Sequence, residues 1–338
     1  MTEGTITKTD NFKLKEAENL YYSFLQYTKY IFTNYSNYGT LDINSITEKL
    51  KKVWSTVRLD YRFLLRVQHE AEQTEDETYI YSHSARSAIV AMIVGTYFKL
   101  PNHRLAELGI AALLHDIGML AIPQEIYLSD RILTEEERKI LYTHPLHGYK
   151  ILQSLKFPAD ICVAILEHHE RENGSGYPRN LNGRYISQYG KIIAVATAYD
   201  ALSTKRLHRE AKDHHTGIVE LLNNADKRYD SNVIKALVYS FSLFPIGLYV
   251  LLSDGKKGQV IDVNPENPRY PVVQIYETLL PGEKRRTVQT SLNDVHIERP
   301  LEKEEISALD KSEPPPLQSG KSQPPFPYSS TQSAYKKF

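Results

Sequence analysis

The sequence predicts a mainly α-helical protein: a helical bundle with an N-terminal helical region, a small C-terminal β-barrel-like module and a disordered tail. Apolar residues recur at spacings of three and four as far as about Leu243, which is the period of amphipathic helices. After Pro245 this period gives way to short runs typical of strands. Beyond Leu301 the chain is rich in Pro, Ser, Gln and Lys, a composition that does not build a packed core.

The composition excludes several classes of protein. Lys and Arg together number 41, as do Asp and Glu, so the chain has no formal net charge, which argues against DNA binding and against adsorption to acidic lipid. The single cysteine, Cys162, excludes internal disulfides and fits a reducing compartment. The longest apolar run, residues 88–98, is shorter than the roughly 20 residues of a membrane-spanning helix, and the N-terminus is polar. We therefore expect a cytoplasmic protein that crosses no membrane.

The N-terminal region, residues 1–75, is rich in Tyr and carries no obvious chemistry. Apolar and aromatic side chains recur there at helical spacing, for example at Leu20, Phe24, Tyr27 and Ile31. A stripe of this kind is typical of a packing or dimerising element, so a homodimer through these helices is one expected partner. A divergent sensory domain is the alternative, although no ligand signature supports it.

The middle of the chain, residues 76–243, predicts seven or so helices separated by short Gly, Pro and Asn breaks. Examples are residues 84–98, 104–115, 158–171 and 190–205. One helix start is marked by Thr134 followed three residues later by Glu137, which is the sequence of a capping box.

The C-terminal part divides into a β module and a tail. Short strands are predicted at residues 248–252, 258–263, 271–276 and 287–290, within a small module that we place at residues 244–300. Residues 301–338 form the predicted tail, where six of the 17 prolines lie between Pro314 and Pro327. These prolines could dock in a proline-reading groove, but a solvated tail is the interpretation that we favour.

Five histidines of the middle region lie in a pattern that indicates metal binding: His83, His115, His144, His168 and His169. A lone histidine on a helix is usually a hydrogen-bonded core residue or a surface residue. Here, however, His115-Asp116 and His168-His169 each follow an apolar helical run directly. Buried polar groups are costly unless paired, and a metal ion would satisfy these groups at once. Adjacent helical residues point about 100° apart, so a doublet reaches one centre only from a helix end.

The kinds of ligand atom indicate which ions the site would hold. Imidazole nitrogen with carboxylate oxygen, and no thiolate, favours Fe or Mn over Zn. Five histidines plus Asp116 exceed what one ion can take while it keeps an open position. Two divalent ions about 3.5–4 Å apart, sharing Asp116, would use all of them and orient a water for attack on phosphorus. Gly118 is expected to let the chain leave the helix sharply and to keep space near the site open.

These motifs resemble the HD-GYP family of the HD hydrolase superfamily, whose members are mainly bacterial cyclic di-GMP phosphodiesterases. The resemblance covers roughly residues 76–243 and implies an HD-superfamily helical bundle. The β-like segment after Phe244 also resembles a short module that often follows this domain. The matching elements are His115-Asp116 with Gly118, His144-Pro145 with Gly148, His168-His169-Glu170, Gly174 to Pro178, and Asp200-Ala201-Leu202 with Arg206.

The resemblance also implies roles for individual residues, with the His115-Asp116 pair at the catalytic centre. The implied ligands are His83, His115 and Asp116 for a first metal, and Asp116, His144, His168 and His169 for a second, so that Asp116 bridges them. Gly176, Tyr177 and Pro178 match the loop beside the substrate. Arg206 and Arg209 match basic positions near the substrate phosphates, and exposed charges on a helix end are the alternative interpretation.

Three positions depart from the family pattern. Met119 stands where the family has a lysine that approaches the scissile phosphate, so stabilisation of charge on that phosphate should be weaker. Thr197 replaces the aspartate that closes the first metal site. Asp200, one helical turn on, is counted as a compensating metal residue, although its own motif position favours a structural role. Tyr79 stands where members with a third metal carry a glutamate, so we expect two ions at most.

The leading hypothesis is therefore a metal-dependent phosphodiesterase that hydrolyses cyclic di-GMP in bacterial second-messenger signalling. The departures at Met119 and Thr197 support an alternative, an impaired module that binds a cyclic dinucleotide or a partner protein without efficient turnover. A phosphohydrolase acting on another nucleotide is a weaker third interpretation, because Tyr177-Pro178 points to the dinucleotide branch.

Overall fold

The computed structural model describes residues 8–70, 79–129, 131–203, 214–225, 227–264, 266–276, 286–291 and 294–309. In these ranges the protein is mostly helical, with one small antiparallel sheet near the C-terminus. The predicted fold class is confirmed. Residues 310–338, which include the proline-rich runs, lie outside the described ranges.

The N-terminal region consists of three helices: α1 (Lys8–Tyr38), α2 (Ile43–Asp60) and α3 (Arg62–Glu70). Phe24 and Ile31 of α1 are buried in the same hydrophobic core as the helices that follow, and Phe32 contacts Tyr81 edge to face at 5.6 Å. The apolar stripe of α1 is thus buried within its own chain. It therefore gives no argument for a partner subunit, and the homodimer remains an untested prediction.

Nine described helices follow and form the body of the bundle: α4 (Tyr79–Tyr97), α5 (Asn102–Leu114), α6 (Gln124–Tyr127), α7 (Glu135–Leu141), α8 (His144–Ser154), α9 (Ala159–Glu167), α10 (Gln188–Ser203), α11 (His214–Asn223) and α12 (Ser231–Phe241). The capping box of α7 is present: the Glu137 amide donates to Oγ1 of Thr134, and the Thr134 amide donates to the Glu137 carboxylate. α9 ends at Glu167 rather than at the predicted residue 171, which places His168 and His169 directly after the helix. None of the described helices is both long and apolar enough to span a membrane.

Five strands form the C-terminal sheet: β1 (Tyr249–Leu252), β2 (Lys257–Asp262), β3 (Val272–Ile275), β4 (Thr287–Gln289) and β5 (Ile297–Pro300), in the order β4-β3-β2-β1-β5. The edge strand β5 was not predicted, because it has only one apolar residue and ends in proline. Proline is tolerated there because the strand lies at the edge of the sheet. A short helix, α13 (Lys303–Ser307), lies where the disordered tail was expected to begin, so that boundary was wrong. Glu302 and Glu305 form its capping box, a signal that our interpretation of the composition overlooked.

Candidate metal centre

The structure brings the five predicted histidines and Asp116 into one cluster, in which every side chain but the half-buried His169 is buried. Two overlapping groups have ligand atoms that all lie within 4.8 Å of one another: Asp116, His144, His168 and His169 in one, and His83, His115 and Asp116 in the other. Asp116 belongs to both groups. The side chains come from α4, from the start of α8 and from the segments just after α5 and α9.

A close contact between two backbone segments positions Asp116 beside α8. α5 ends at Leu114, and a short 3-10 turn, Ile117–Ala121, begins after Asp116. A Cβ atom on Gly118 would lie 2.0 Å from the carbonyl oxygen of His144 and 2.5 Å from the Gly148 nitrogen. Gly118 is therefore required because α8 packs directly on the turn. Our expectation that it keeps space open was wrong, since backbone fills that space.

Hydrogen bonds donated by Nδ1 orient four of the rings toward Asp116. His115, His144 and His168 each donate from Nδ1 to a backbone carbonyl three residues earlier, over 2.9, 2.8 and 2.7 Å. Nδ1 of His83 donates to Oδ2 of Asp200 over 2.6 Å. An imidazole with its proton on Nδ1 keeps a lone pair on Nε2, which is the atom that binds a metal.

The freed Nε2 atoms meet around the Asp116 carboxylate. Nε2 of His115 lies 3.2 Å from Oδ2, and Nε2 of His144 lies 3.3 Å from Oδ1. Nε2 of His144 and Nε2 of His168 lie 3.4 Å apart, although both carry lone pairs in these tautomers. Nε2 of His115 and Oδ1 of Asp116 are buried and form no hydrogen bond of normal geometry to any described residue. A divalent cation would satisfy all of these electron pairs, so the residues present fit a metal site.

Burial favours the neutral, metal-binding form of three of the histidines. Burial lowers the pKa of His168 to about 4, and it also lowers the pKa of His83 and His169. For His115 burial lowers the pKa too, but the Asp116 charge outweighs it and the pKa is raised. Burial raises the pKa of Asp116, yet the neighbouring histidines hold it well below its usual range. The cluster thus contains an anionic carboxylate and three imidazoles whose neutral form burial favours.

Asp200 belongs to neither ligand group, in contrast to our placing it with the metal residues. One of its oxygens accepts from Nδ1 of His83, and both accept from the guanidinium of Arg86. Burial raises the pKa of Asp200, but Arg86 and His83 hold it well below its usual range. Its carboxylate therefore orients His83 through Nδ1, the nitrogen opposite the one left for a metal. Arg86 lies one helical turn after His83, a spacing that could have indicated this role.

The three departures from the family pattern surround the same site. Oγ1 of Thr197 donates to the carbonyl of Ala194 over 3.3 Å. The Tyr79 ring stacks on His83 with 5.4 Å between ring centroids. Met119 lines the cavity above the cluster. The first group therefore has two histidines and the shared aspartate as its described ligands.

The Gly176-Tyr177-Pro178 loop is held against the second ligand group. A Cβ atom on Gly176 would lie 2.4 Å from the Glu170 Cα, so only glycine permits this approach. The Tyr177 ring stacks on His169 at 4.6 Å and on Tyr142 at 4.1 Å between centroids. The buried carboxylate of Glu170 accepts from the backbone amides of Arg179 and Leu181 and so fixes the far end of the loop.

A cavity of about 810 Å³ opens over the cluster and is bordered by Tyr177 and by three arginines: Arg131, Arg171 and Arg228. Arg131 is paired with Glu137. The guanidinium of Arg171 lies over the Tyr229 ring, 5.0 Å from its centroid, and donates to the carbonyls of His168 and Glu170. Arg171 forms no ion pair with a described carboxylate. It was not among the predicted site residues, although its position directly after His168-His169-Glu170 could have indicated it. Arg206 and Arg209 lie outside the described residues.

Comparisons with known proteins agree with this geometry. Residues 67–233 match the family model described as HD domain. The chain is 34% identical over 191 residues to cyclic di-GMP phosphodiesterase PdeB of Borreliella burgdorferi, covering 56% of this chain and 50% of the relative. It is 30% identical over 205 residues to cyclic di-GMP phosphodiesterase PA4108 of Pseudomonas aeruginosa, covering 60% of this chain and 49% of the relative. The chain thus spans about half the length of these curated relatives.

Among solved structures, Bd1817, an HDG"Y"P protein from Bdellovibrio bacteriovorus, has a similar fold. The TM-score is 0.54 at 18% identity, and the match covers 67% of this chain and 71% of that chain. The segment that matches the HD domain model contains the whole histidine cluster and the Gly176-Tyr177-Pro178 loop. Residues 67–233 of the chain therefore belong to the HD domain family, and the named relatives agree with the resemblance to its HD-GYP branch.

Proposed function

We propose that this protein is a metal-dependent phosphodiesterase that hydrolyses a 3′–5′ bond of cyclic di-GMP in bacterial second-messenger signalling. The observation that carries the proposal is the cluster of five histidines around Asp116 at the base of a cavity bordered by Tyr177. The names of the relatives support the choice of substrate, since those reported above are cyclic di-GMP phosphodiesterases.

The ligand set supports two divalent ions, with Fe or Mn favoured over Zn. Five imidazole nitrogens and one shared carboxylate are more than one ion needs, and no described thiolate is among them. When bound, such ions supply Lewis-acid activation of water and offset negative charge on phosphorus. We assign His83 and His115 to one ion, His144, His168 and His169 to the other, and Asp116 to both.

The protein's own residues give the site its charge and rigidity. Because burial keeps His83, His168 and His169 neutral, Asp116 is the principal negative charge among the ligands. Two divalent ions would therefore leave the site net positive, which favours a phosphodiester. The Nδ1 hydrogen bonds hold the rings in place before any ion arrives, so ligand ordering costs little on binding.

Arginines at the cavity wall are proposed to take over part of the role of the lysine replaced by Met119. Arg171 and Arg228 border the cavity, and Arg171 has no described carboxylate partner. A guanidinium matches the paired oxygens of a phosphate better than methionine or a neutral polar group. Tyr177 already stacks on His169 and Tyr142, so it offers the substrate its hydroxyl and ring edge. Arg206 and Arg209 remain proposed phosphate contacts.

An impaired module that binds a cyclic dinucleotide or a partner without efficient turnover is the second candidate. The observation that favours it is the first ligand group, where the Thr197 hydroxyl is bonded to its own helix and adds no carboxylate. Fewer anionic ligands weaken the hold on that ion. This candidate shares the fold and the cavity with the phosphodiesterase, and rate measurements separate the two.

Turnover of cyclic di-GMP by the full chain, loaded with Mn²⁺ or Fe²⁺ without oxygen, tests the proposal. His144→Gln removes a ligand, whereas His147→Gln changes a histidine of the same helix that is outside both ligand groups. We expect hydrolysis by the wild type and by His147→Gln, and at least a hundredfold loss in His144→Gln. Absence of turnover with cyclic di-GMP and with cyclic GMP-AMP would reject the enzyme and favour the binding module.

A further inference from the structure

A row of buried polar side chains leads from the metal ligand His83 to the N-terminal helix α1. Nδ1 of His83 donates to Oδ2 of Asp200, and Nε and Nη2 of Arg86 donate to the two oxygens of the same carboxylate. His83, Arg86 and Asp200 are 5%, 3% and 4% exposed. Water therefore competes little for these contacts, and each group depends on its protein partners for satisfaction.

The row ends at Tyr21, in the middle of α1. Tyr21 is 1% exposed, and its hydroxyl interacts with the Arg86 guanidinium. The Tyr21 hydroxyl and Nη1 of Arg86 are both buried, and neither forms a hydrogen bond of normal geometry to any described residue. Residue 21 precedes the segment that matches the HD domain model, which begins at residue 67. An element outside the matched domain thus completes the surroundings of Arg86.

The geometry gives each member of the row one task. A carboxylate on the nitrogen opposite the metal-binding nitrogen fixes the tautomer and the orientation of a ligating histidine. Asp200 provides this contact for His83, and the paired donors of Arg86 hold the plane of that carboxylate. The Tyr21 hydroxyl interacts with the same guanidinium, whose Nη1 is not bonded to the carboxylate.

We propose that Tyr21 is a positioning residue for the metal centre, acting on His83 through Arg86 and Asp200. The inference rests on the metal-binding role of His83 in the proposed function. It makes helix α1 a part of the metal-binding unit, so the HD-like segment without α1 would bind the first ion more weakly.

The test is Mn²⁺ binding by the metal-free full chain, measured by equilibrium dialysis with elemental analysis. Tyr21→Phe removes one hydroxyl and keeps the ring, so the buried packing is preserved. We expect about tenfold weaker binding of the ion held by His83, in line with the loss that follows removal of groups supporting a metal ligand. The ion held by His144, His168 and His169 should bind as in the wild type, whereas general loosening of the fold would weaken both.

Two further variants locate the effect. Tyr61→Phe is the matched control. Tyr61 is also a tyrosine of the N-terminal helices, and its hydroxyl donates a hydrogen bond to the Ser240 carbonyl and not to a residue of the cluster. This variant should leave both affinities unchanged. In a His83→Gln background, Tyr21→Phe should have no further effect on Mn²⁺ affinity, because the ligand through which Tyr21 acts is already absent.

Wild-type Mn²⁺ affinities in Tyr21→Phe would overturn the proposal, as would an equal loss at both ions or an undiminished effect in the His83→Gln background. A wild-type chain that binds no Mn²⁺ would overturn it together with the metal site. Binding of two ions without hydrolysis of any cyclic dinucleotide would reject the phosphodiesterase alone and leave the role of Tyr21 decided by the affinities.

Discussion

Replacing Gly118 by alanine should damage the metal centre through the backbone. The added Cβ would lie 2.0 Å from the His144 carbonyl oxygen and 2.5 Å from the Gly148 nitrogen. Because both obstacles are backbone atoms, no side-chain rotation relieves the overlap, and the turn must move away from α8 by about 1 Å or more to reach ordinary contact distance. Asp116 and His144 lie on the two sides of that contact, so their atoms would separate.

The magnitude follows from overpacking at this contact. Overpacking of a close-packed interior costs about 1–3 kcal/mol, and a backbone obstacle places Gly118→Ala at the upper end. A misplacement of about 1 Å at a catalytic site costs on the order of a hundredfold in rate. We therefore expect a loss of about 3 kcal/mol in the free energy of unfolding, weaker Mn²⁺ binding and about a hundredfold lower kcat/KM.

Urea unfolding and Mn²⁺ titration of the full chain measure these effects. Gly217→Ala is the matched control, since its Cβ would meet Leu202 at 3.5 Å, an ordinary van der Waals distance, within helix α11. That variant should be as stable as the wild type or slightly more stable, with unchanged metal binding. Wild-type stability and wild-type Mn²⁺ affinity in Gly118→Ala would refute the assigned role of this contact.

Three further outcomes follow from the site. Met119→Lys should raise kcat for cyclic di-GMP, because a cation at the cavity wall offsets charge on the phosphate; a steady-state rate equal to or below the wild-type rate would contradict this. Arg171→Ala should raise KM or lower kcat/KM by about tenfold or more, and Arg171→Lys should restore part of the loss. Unchanged kinetics in Arg171→Ala would show that Arg171 does not contact the substrate. Chelation of bound ions should lower the midpoint of thermal unfolding, because a ligand at about a hundred times its Kd stabilises the folded state by about 2.7 kcal/mol. A calorimetric scan that does not change when chelator is added would contradict a bound ion.

Features decided by local pattern could be predicted from the sequence. The ends of α5 and α9 follow apolar runs, so a histidine placed just after each run was expected to turn inward at a helix end, as His115 and His168 do. The capping box at Thr134 could be predicted because both of its partners lie within four residues. These signals need no knowledge of which distant element packs against the segment.

Features decided by distant contacts could not be predicted in the same way. A glycine in a turn is consistent either with open space beside the turn or with a close backbone neighbour. Nothing in the sequence near Gly118 shows that this neighbour is the backbone of α8, which comes after two intervening helices in the chain. Similarly, the motif position of Asp200 does not show that a guanidinium from α4 occupies its carboxylate. The burial of the α1 stripe within its own chain is also a long-range contact, and sequence periodicity identifies an apolar face without naming its partner.

Anomalous diffraction from crystals grown with Mn²⁺ would show whether one aspartate and five histidines hold a pair of divalent ions. We expect two anomalous peaks about 3.5–4 Å apart, one on each side of Asp116. His83 and His115 should lie beside one peak, and His144, His168 and His169 beside the other. A map without anomalous density at Asp116, or with Mn²⁺ bound only at other carboxylates, would contradict this expectation.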